Sequence, residues 1–285
     1  MIIWIASYPK SGNTWVRSFI ASLLYNKNNE ANLKNLSVIP QYPLRSHFNG
    51  LVNNIDDFKE ISSNWEKSQS IINSDNKIKF LKTHHALCSF NGSIFTNYTN
   101  SLGVIYIIRD PRNVVSSILY HFSKKNLSEA RDFLLNENKA LWKKFDKNSP
   151  TINRDMLTQI SSWKNNYNSW KNFKKNYLLI KYENLISKPD NEFRKISNYI
   201  SKLINISFEE KIINNAIKTN DFENLKNIER ENGFVEATKD HETGKTKKFF
   251  NLGPKNNWKN ILDDEIRNSI ENEFRIEMNE LGYLE

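Results

Sequence analysis

Short runs of apolar, β-branched residues recur along the chain, and most are followed by stretches whose apolar positions return at helical spacing. Residues 2–7 (IIWIAS), 77–83 (KIKFLKT), 103–110 (GVIYIIRD) and 176–185 (NYLLIKYENL) read as buried strands, the first ended by Tyr8-Pro9. From Gly12 the pattern turns helical, with Trp15, Phe19 and Leu23 at steps of four and Ile20 and Leu24 beside them. Residues 129–145 and 155–175 carry the same spacing, Trp163, Tyr167 and Trp170 falling on one side of the second. Residues 189–201, 207–217 and 263–281 also read as helices. Strands alternating with helices predict an α/β fold, a central parallel sheet flanked by helices. Segments 30–76 and 228–257 are polar and weakly periodic, and read as long loops or small helical excursions of the kind that carry function or move. Nothing repeats and no linker interrupts the pattern, so residues 1–285 are expected to form one domain.

Composition narrows the class. With 38% apolar, 12% aromatic and 26% charged residues over 285 positions, the chain carries enough apolar side chains for a packed core, which excludes disorder. No apolar run approaches the roughly 18–20 residues of a membrane span, and the start MIIWIASYPK lacks the features of a signal peptide; a cytoplasmic protein is expected. A single cysteine, Cys88, excludes an intramolecular disulfide framework and a cysteine-based zinc site, and reads as a buried or bystander thiol. The net charge of +9 is compatible with a polyanionic partner. The lysines are, however, spread among many asparagines and isoleucines, a bias that an AT-rich genome produces, and no nucleic-acid partner is expected. A modest positive field would still gather a phosphorylated ligand.

Three stretches carry candidate chemistry. SYPKSGNTW (7–15) lies at a strand-to-helix turn, where unpaired backbone N–H groups and the positive end of the helix dipole favour an anion. Gly12 allows close backbone approach, Ser11, Asn13 and Thr14 add donors, and Lys10 adds charge. The lysine precedes the glycine, so this is neither a Walker A loop nor G-x-G-x-x-G; a capped turn with a solvated lysine is the alternative. In VIYIIRDPRNVVSSILYHF (104–122), Arg109 ends a strand and Ser117 follows eight residues later. Ligands of open α/β sheets bind outside the carboxyl ends of strands, so Lys10 and Arg109 are expected to converge on two anionic groups of one ligand; an ion pair of Arg109 with Asp110 is the structural alternative. In FLKTHHAL (80–87), a histidine near neutral pH with a lysine beside it is general-base equipment. No partner at metal-ligand spacing accompanies His84 and His85, and no metal is expected. Strand alternation sends the two rings to opposite faces.

Together these stretches resemble the 3'-phosphoadenosine 5'-phosphosulfate (PAPS)-dependent sulfotransferases of the soluble, cytosolic type, and suggest a bacterial-type member. The family's loop Y-P-K-S-G-T-T-W is matched by YPKSGNTW except at Asn13, its Arg and Ser lie at the spacing of Arg109 and Ser117, and its K-T-H is residues 82–84. LLIKYENLISKPDNEFRKISNYI (178–200) is similar to the family's Y-E-D-L region, NDFENLKN (220–227) to S-F-x-x-M, and FFNLGPKNNWKN (249–260) to F-x-R-K-G-x-x-G-D-W-K. The resemblance implies transfer of a sulfuryl group from PAPS to a hydroxyl or amine of a small-molecule or glycan acceptor, with 3'-phosphoadenosine 5'-phosphate (PAP) as product. Residues 10–15 would hold the 5'-phosphate, Trp15, Tyr182 and Phe222 would meet adenine, and Arg109, Ser117 and Gly253 the 3'-phosphate. His84 would be the base, with Lys10 and Lys82 assisting, and His85 a packing or pocket-wall residue.

Two departures stand out. Asn251 and Leu252 replace the family's Arg-Lys before Gly253, leaving Lys255 as the candidate substitute, and KNILDDEIRNSIE does not match the vertebrate dimer signature K-x-x-x-T-V-x-x-x-E. Tyr42, Phe48, Phe90, Phe95, Tyr98, Tyr120 and Phe122 flank the site elements as either pocket lining or core. The acceptor and the oligomeric state are not legible. A nucleotide-dependent kinase on a related fold is the alternative enzyme and a basic glycan- or nucleic-acid-binding module the non-enzymatic one; a kinase would need a magnesium-binding acid and a Walker lysine, neither of which the sequence offers.

Overall fold

A computed structural model describes residues 1–142, 156–240 and 243–284. Four strands, β1 (Ile2–Ser7), β2 (Lys79–Thr83), β5 (Ser101–Ile108) and β8 (Tyr177–Lys181), form a parallel sheet in the order β2-β1-β5-β8. β1 and β2 pair in parallel, Ile2 opposite Lys79 and Ala6 opposite Thr83. Every residue of β1 is buried, as expected of a parallel strand covered on both faces. Two-stranded hairpins pair β3 (Ser89–Phe90) with β4 (Ser93–Ile94), and β6 (Ala140–Leu141) with β7 (Thr158–Gln159).

The chain divides into two compact units, each assembled from three stretches of sequence. The first comprises Met1–Tyr8, Ile39–Tyr106 and Glu137–Leu179. It holds α2 (Phe58–Ser63), α3 (Trp65–Ile72) and α6 (Trp163–Lys171). Its core is aromatic: Trp4 packs within 5.5 to 6.2 Å of Tyr42, Phe95 and Trp170, and its indole N–H donates to Ser101 Oγ at 2.7 Å. A buried indole needs such a partner, because an unmet N–H costs about as much as a lost hydrogen bond.

The second unit comprises Pro9–Val38, Ile107–Asn136 and Ile180–Glu285. It carries α1 (Asn13–Leu24), α4 (Pro111–His121), α5 (Leu127–Leu135) and the C-terminal helices. These are α7 (Tyr182–Ser187), α8 (Pro189–Ile204), α9 (Glu210–Thr219), α10 (Phe222–Asn232), α11 (Asp264–Glu273) and α12 (Arg275–Glu280). Phe19 of α1 stacks on Phe193 of α8 at 4.3 Å. Asp110 caps α4 by accepting from the Arg112 N–H, and Pro111 occupies the first helical position, where its missing N–H costs nothing.

Several boundaries differ from the periodic pattern for local reasons. The run 176–185 is a strand only to Lys181; Tyr182 and Leu185, three apart and both buried, instead form one face of α7. The expected helix 155–175 is confined to α6, because Ser161 takes a left-handed φ of 59° and Ser162 caps the helix by accepting from the Asn165 N–H, while Thr158–Gln159 pairs as a strand. The helix expected at 129–145 ends at Leu135, followed by β6; its last residues, and the start of 155–175, lie outside the described residues. The single helix read at 263–281 is broken at Phe274 (φ −111°, ψ 20°) into α11 and α12. The polar segment 30–76 contains 3-10 turns together with α2 and α3, and 228–257 begins with the last turn of α10.

Asp110 also forms a buried pair with Arg112, whose guanidinium reaches both carboxylate oxygens and continues to Glu271. Removing one partner of such a pair strands the other, which costs about 3–5 kcal/mol. Asp110→Ala should therefore lower the unfolding free energy by about that amount in denaturant titration, and Asp110→Asn, which keeps the cap, by clearly less.

Candidate functional site

In the second unit the chain leaves Pro9 through two left-handed residues, Lys10 (φ 67°) and Gly12 (φ 101°), and enters α1. A side chain at Gly12 would put its Cβ 2.6 Å from the Tyr182 ring, so the position requires glycine for both its φ and its room. α1 has no capping side chain and no acidic residue in its first turn, leaving its first N–H groups and dipole facing the loop. Ser11 Oγ is fully buried and makes no hydrogen bond among the described residues, and Asn13 and Thr14 are buried beside it. A buried hydroxyl in this state is costly unless a ligand supplies an acceptor, so the turn fits a phosphate.

Arg109 at the end of β5 joins this turn to α4. Its Nη1 donates to the Lys10 carbonyl at 3.0 Å and to Ser117 Oγ at 3.1 Å, and its guanidinium lies 4.2 Å from the centre of the Tyr182 ring. The expected convergence is thus direct: two cation-bearing elements and a serine hydroxyl meet around one buried guanidinium. Glu183, next to Tyr182, braces the same corner by accepting from the Asp110 N–H and the Tyr283 hydroxyl. Burial nevertheless raises its carboxyl above the ordinary range.

The remaining predicted residues are placed as follows. Trp15 is buried, donating to the Asn220 carbonyl and meeting Tyr182, Phe193 and Phe222 edge-on at 5.7 to 6.0 Å. Gly253 faces Phe222 so closely that an added Cβ would come 2.0 Å from its ring. Lys10 Nζ sits 4.2 Å over the Phe249 ring. Lys255 is exposed on a 3-10 turn; the buried polar side chain of that loop is its neighbour Asn256, which donates to Ser117 Oγ. Thr14 donates its hydroxyl to Glu236, which also pairs with Arg17. Glu229 accepts the backbone N–H groups of Phe249 and Phe250, tying the C-terminal loop to α10. Glu236, Glu229 and Asn256 carried no signal in the sequence, because their partners lie 20 to 222 residues away.

In the first unit, His84 follows β2. Its Nδ1 lies 2.8 Å from the Ser7 carbonyl, which can only accept, so Nδ1 carries the proton and Nε2 is the basic nitrogen. Asn166 holds the backbone at this point, donating to the His84 and Ile160 carbonyls while accepting from the Tyr106 hydroxyl. Neither Ser7 nor Asn166 was legible as an orienting residue. Lys82, on the same strand parity as His84, is buried; its carbonyl accepts from Tyr42 and its N–H donates to Pro40. His85 points elsewhere: fully buried, stacked on Phe95 at 4.1 Å and 7°, its Nδ1 2.7 Å from the Ala86 carbonyl, and pushed down to about 4 by burial.

A cavity of about 160 Å³ in this unit is lined by Phe58, Ile61, Trp142 and Met156, with the Arg45–Asp56 ion pair at 2.6 Å. The backbone on either side of His84 is held within this unit: Gln41 bridges to Lys82, and the Ala86 N–H donates to the Gln159 carbonyl. Of the flanking aromatics, Tyr42, Phe48 and Phe95 are core, Phe90 packs on Phe58, and Phe122 stacks on Phe133. Tyr98 is half exposed, and Tyr120 partly so. Cys88 is half-buried, its thiol pushed up to about 11 and so protonated. Among the described residues no cluster of three or more His, Cys, Asp or Glu could hold a metal ion, and no helix is long and apolar enough to cross a membrane.

A glycine-turned loop at the start of α1, joined to a second cation-bearing strand end, is an arrangement in an α/β fold that could receive two anionic groups. The chain belongs to the sulfotransferase domain family, whose model matches residues 2–282. The fold is that of mouse sulfotransferase SULT7A1, solved in complex with PAP (TM-score 0.59, 17% identity, 97% of this chain and 83% of that one). It is also that of retinol dehydratase, solved with androsterone and PAP (TM-score 0.58, 16% identity, 97% and 80%). A search of curated protein sequences returned no match.

The burial of His85 fixes a pH response. Its folded pKa, about 4, lies below the unfolded value of 6.5, so between these values the unfolded chain binds more protons. Stability present above pH 6.5 is lost as the pH falls toward 4, at up to about 1.4 kcal/mol per pH unit for this one group. His85→Phe, which preserves the stack on Phe95, should reduce the slope of the thermal-melting profile across that window and leave the part due to His47, which burial likewise pushes down to about 4. An unchanged slope would assign the acid response to other groups.

Proposed function

We propose that the protein transfers a sulfuryl group from PAPS to a hydroxyl or amine of a small-molecule or glycan acceptor in the cytoplasm. One observation carries the reading: Arg109 links the Lys10 turn to Ser117, providing separate anion sites for the 5'- and 3'-phosphates of one nucleotide. The N–H groups of residues 10–15 with Ser11, Asn13 and Thr14 hold the 5'-phosphate, Arg109, Ser117 and Gly253 the 3'-phosphate, and Trp15, Tyr182 and Phe222 form the adenine end. The donor supplies an activated S–O bond. His84 takes the acceptor proton on Nε2 as the acceptor oxygen or nitrogen forms its bond to sulfur. The bridging S–O bond breaks toward the 5'-phosphate, and Lys10 neutralises the charge left there while Lys82 assists at the transferring group. Electrostatic stabilisation of this kind is worth about 3–4 kcal/mol per donor. The cavity lined by Phe58, Ile61, Trp142 and Met156 in the first unit offers an apolar surface for the acceptor.

Adenosine 3',5'-bisphosphate should raise the melting temperature well above the shift given by adenosine 5'-phosphate, and Arg109→Ala should abolish the difference. Equal shifts in the wild type, or stabilisation by ATP-Mg alone, would favour the kinase reading instead. His84→Ala should lower kcat at least about a hundredfold with nucleotide affinity nearly unchanged, whereas full turnover would refute it as the base. Turnover lost in His85→Ala alone would move that role to His85.

A further inference from the structure

We propose that Asn256 is a positioning residue for the 3'-phosphate, holding the Ser117 hydroxyl in the orientation that donates to the nucleotide. The proposal rests on the reading of Arg109 and Ser117 as 3'-phosphate ligands. Asn256 stands where the pattern F-x-R-K-G-x-x-G-D-W-K has its second glycine, three residues after Gly253. Its side chain is buried and fully oriented. Nδ2 donates to the Asn113 carbonyl at 2.8 Å and to Ser117 Oγ at 3.2 Å, and Oδ1 accepts from Ser116 Oγ at 2.8 Å. A carbonyl can only accept, so the amide nitrogen must face Asn113 and the group cannot flip without losing that bond.

The consequence lies in the inventory of one hydroxyl. Serine has two lone pairs and one proton. Ser117 Oγ receives Arg109 Nη1 at 3.1 Å and Asn256 Nδ2 at 3.2 Å, which commits both lone pairs and leaves only the proton to give. That proton goes to the Asn113 carbonyl at 3.3 Å, long for a hydroxyl donor, whose usual distance is about 2.7–2.8 Å. A phosphate oxygen, being charged, forms the shorter and stronger bond and displaces it. With Arg109 alone, one lone pair would stay open and the hydroxyl could turn away. The loop that carries Asn256 is itself fixed: the Trp258 N–H donates to Asn113 Oδ1 at 2.9 Å, and the Arg112 guanidinium lies 4.0 Å over the Trp258 ring. Where Asn251 and Leu252 supply no charge, this chain thus reinforces the 3'-phosphate site by orientation.

Calorimetric titration of the full chain with adenosine 3',5'-bisphosphate and with adenosine 5'-phosphate tests this. Asn256→Asp places an acceptor against Ser117, recapturing its proton and repelling the phosphate. It should weaken the bisphosphate about tenfold to a hundredfold while leaving the monophosphate nearly unchanged. Asn256→Gly, the residue of the pattern, should give a smaller loss in the same ratio, and serves if the aspartate variant fails to fold. Equal losses for both nucleotides in a folded variant would make Asn256 merely structural, and an unchanged ratio would overturn the proposal. So would a selective loss seen in Lys255→Ala and not at Asn256, which would assign the grip to the cation. If the wild type itself shows no preference for the bisphosphate, the fault lies in the nucleotide reading on which the proposal rests.

Discussion

The turn before α1 and helix α4 are tied together by one buried guanidinium. Arg109 is almost wholly removed from water and contacts the Lys10 carbonyl, the Ser117 hydroxyl and the face of the Tyr182 ring. The carboxylate next in sequence, Asp110, is turned away to cap α4 and to pair with Arg112. The same bond to the Lys10 carbonyl braces the turn before α1, where Lys10 and Gly12 are left-handed.

Around this corner the second unit uses carboxylates to hold elements instead of ligands. Glu183 receives the Asp110 N–H and the Tyr283 hydroxyl, bracing the β5 end against the C-terminal segment. Glu229 receives two successive backbone N–H groups at Phe249 and Phe250, and Glu236 receives Thr14 and Arg17. The Glu236 contact places a carboxylate on a hydroxyl of the first turn of α1. In the first unit the corresponding task, orienting His84, falls to neutral groups: the Ser7 carbonyl sets the tautomer and the Asn166 amide holds the main chain.

Much of this was written locally. Apolar runs gave the four sheet strands, and a glycine, a lysine and hydroxyls between strand and helix marked the anion turn, because a left-handed turn and an uncapped helix start depend on residues adjacent in the chain. The eight-residue step from Arg109 to Ser117 is about two helical turns, so their meeting also follows from sequence. Helix boundaries followed less well. A single left-handed residue at Ser161, and the irregular Phe274, cut periodic stretches that have no proline or glycine at those points.

Only the tertiary structure decided how the candidate groups are oriented. The choice between two adjacent histidines depends on which ring finds the Ser7 carbonyl and which stacks on Phe95, contacts spanning 77 residues in the first case. Sequence singles out Lys255 as the nearest charge, while the contact of its uncharged neighbour Asn256 with Ser117, 139 residues away, appears only in the folded chain. Periodicity records which face of an element is buried; it does not record which polar atom will stand opposite which. Hydrogen-bond partners are chosen when elements pack, by burial that makes an unmet donor costly, and that selection leaves no trace in the spacing of residues along the chain.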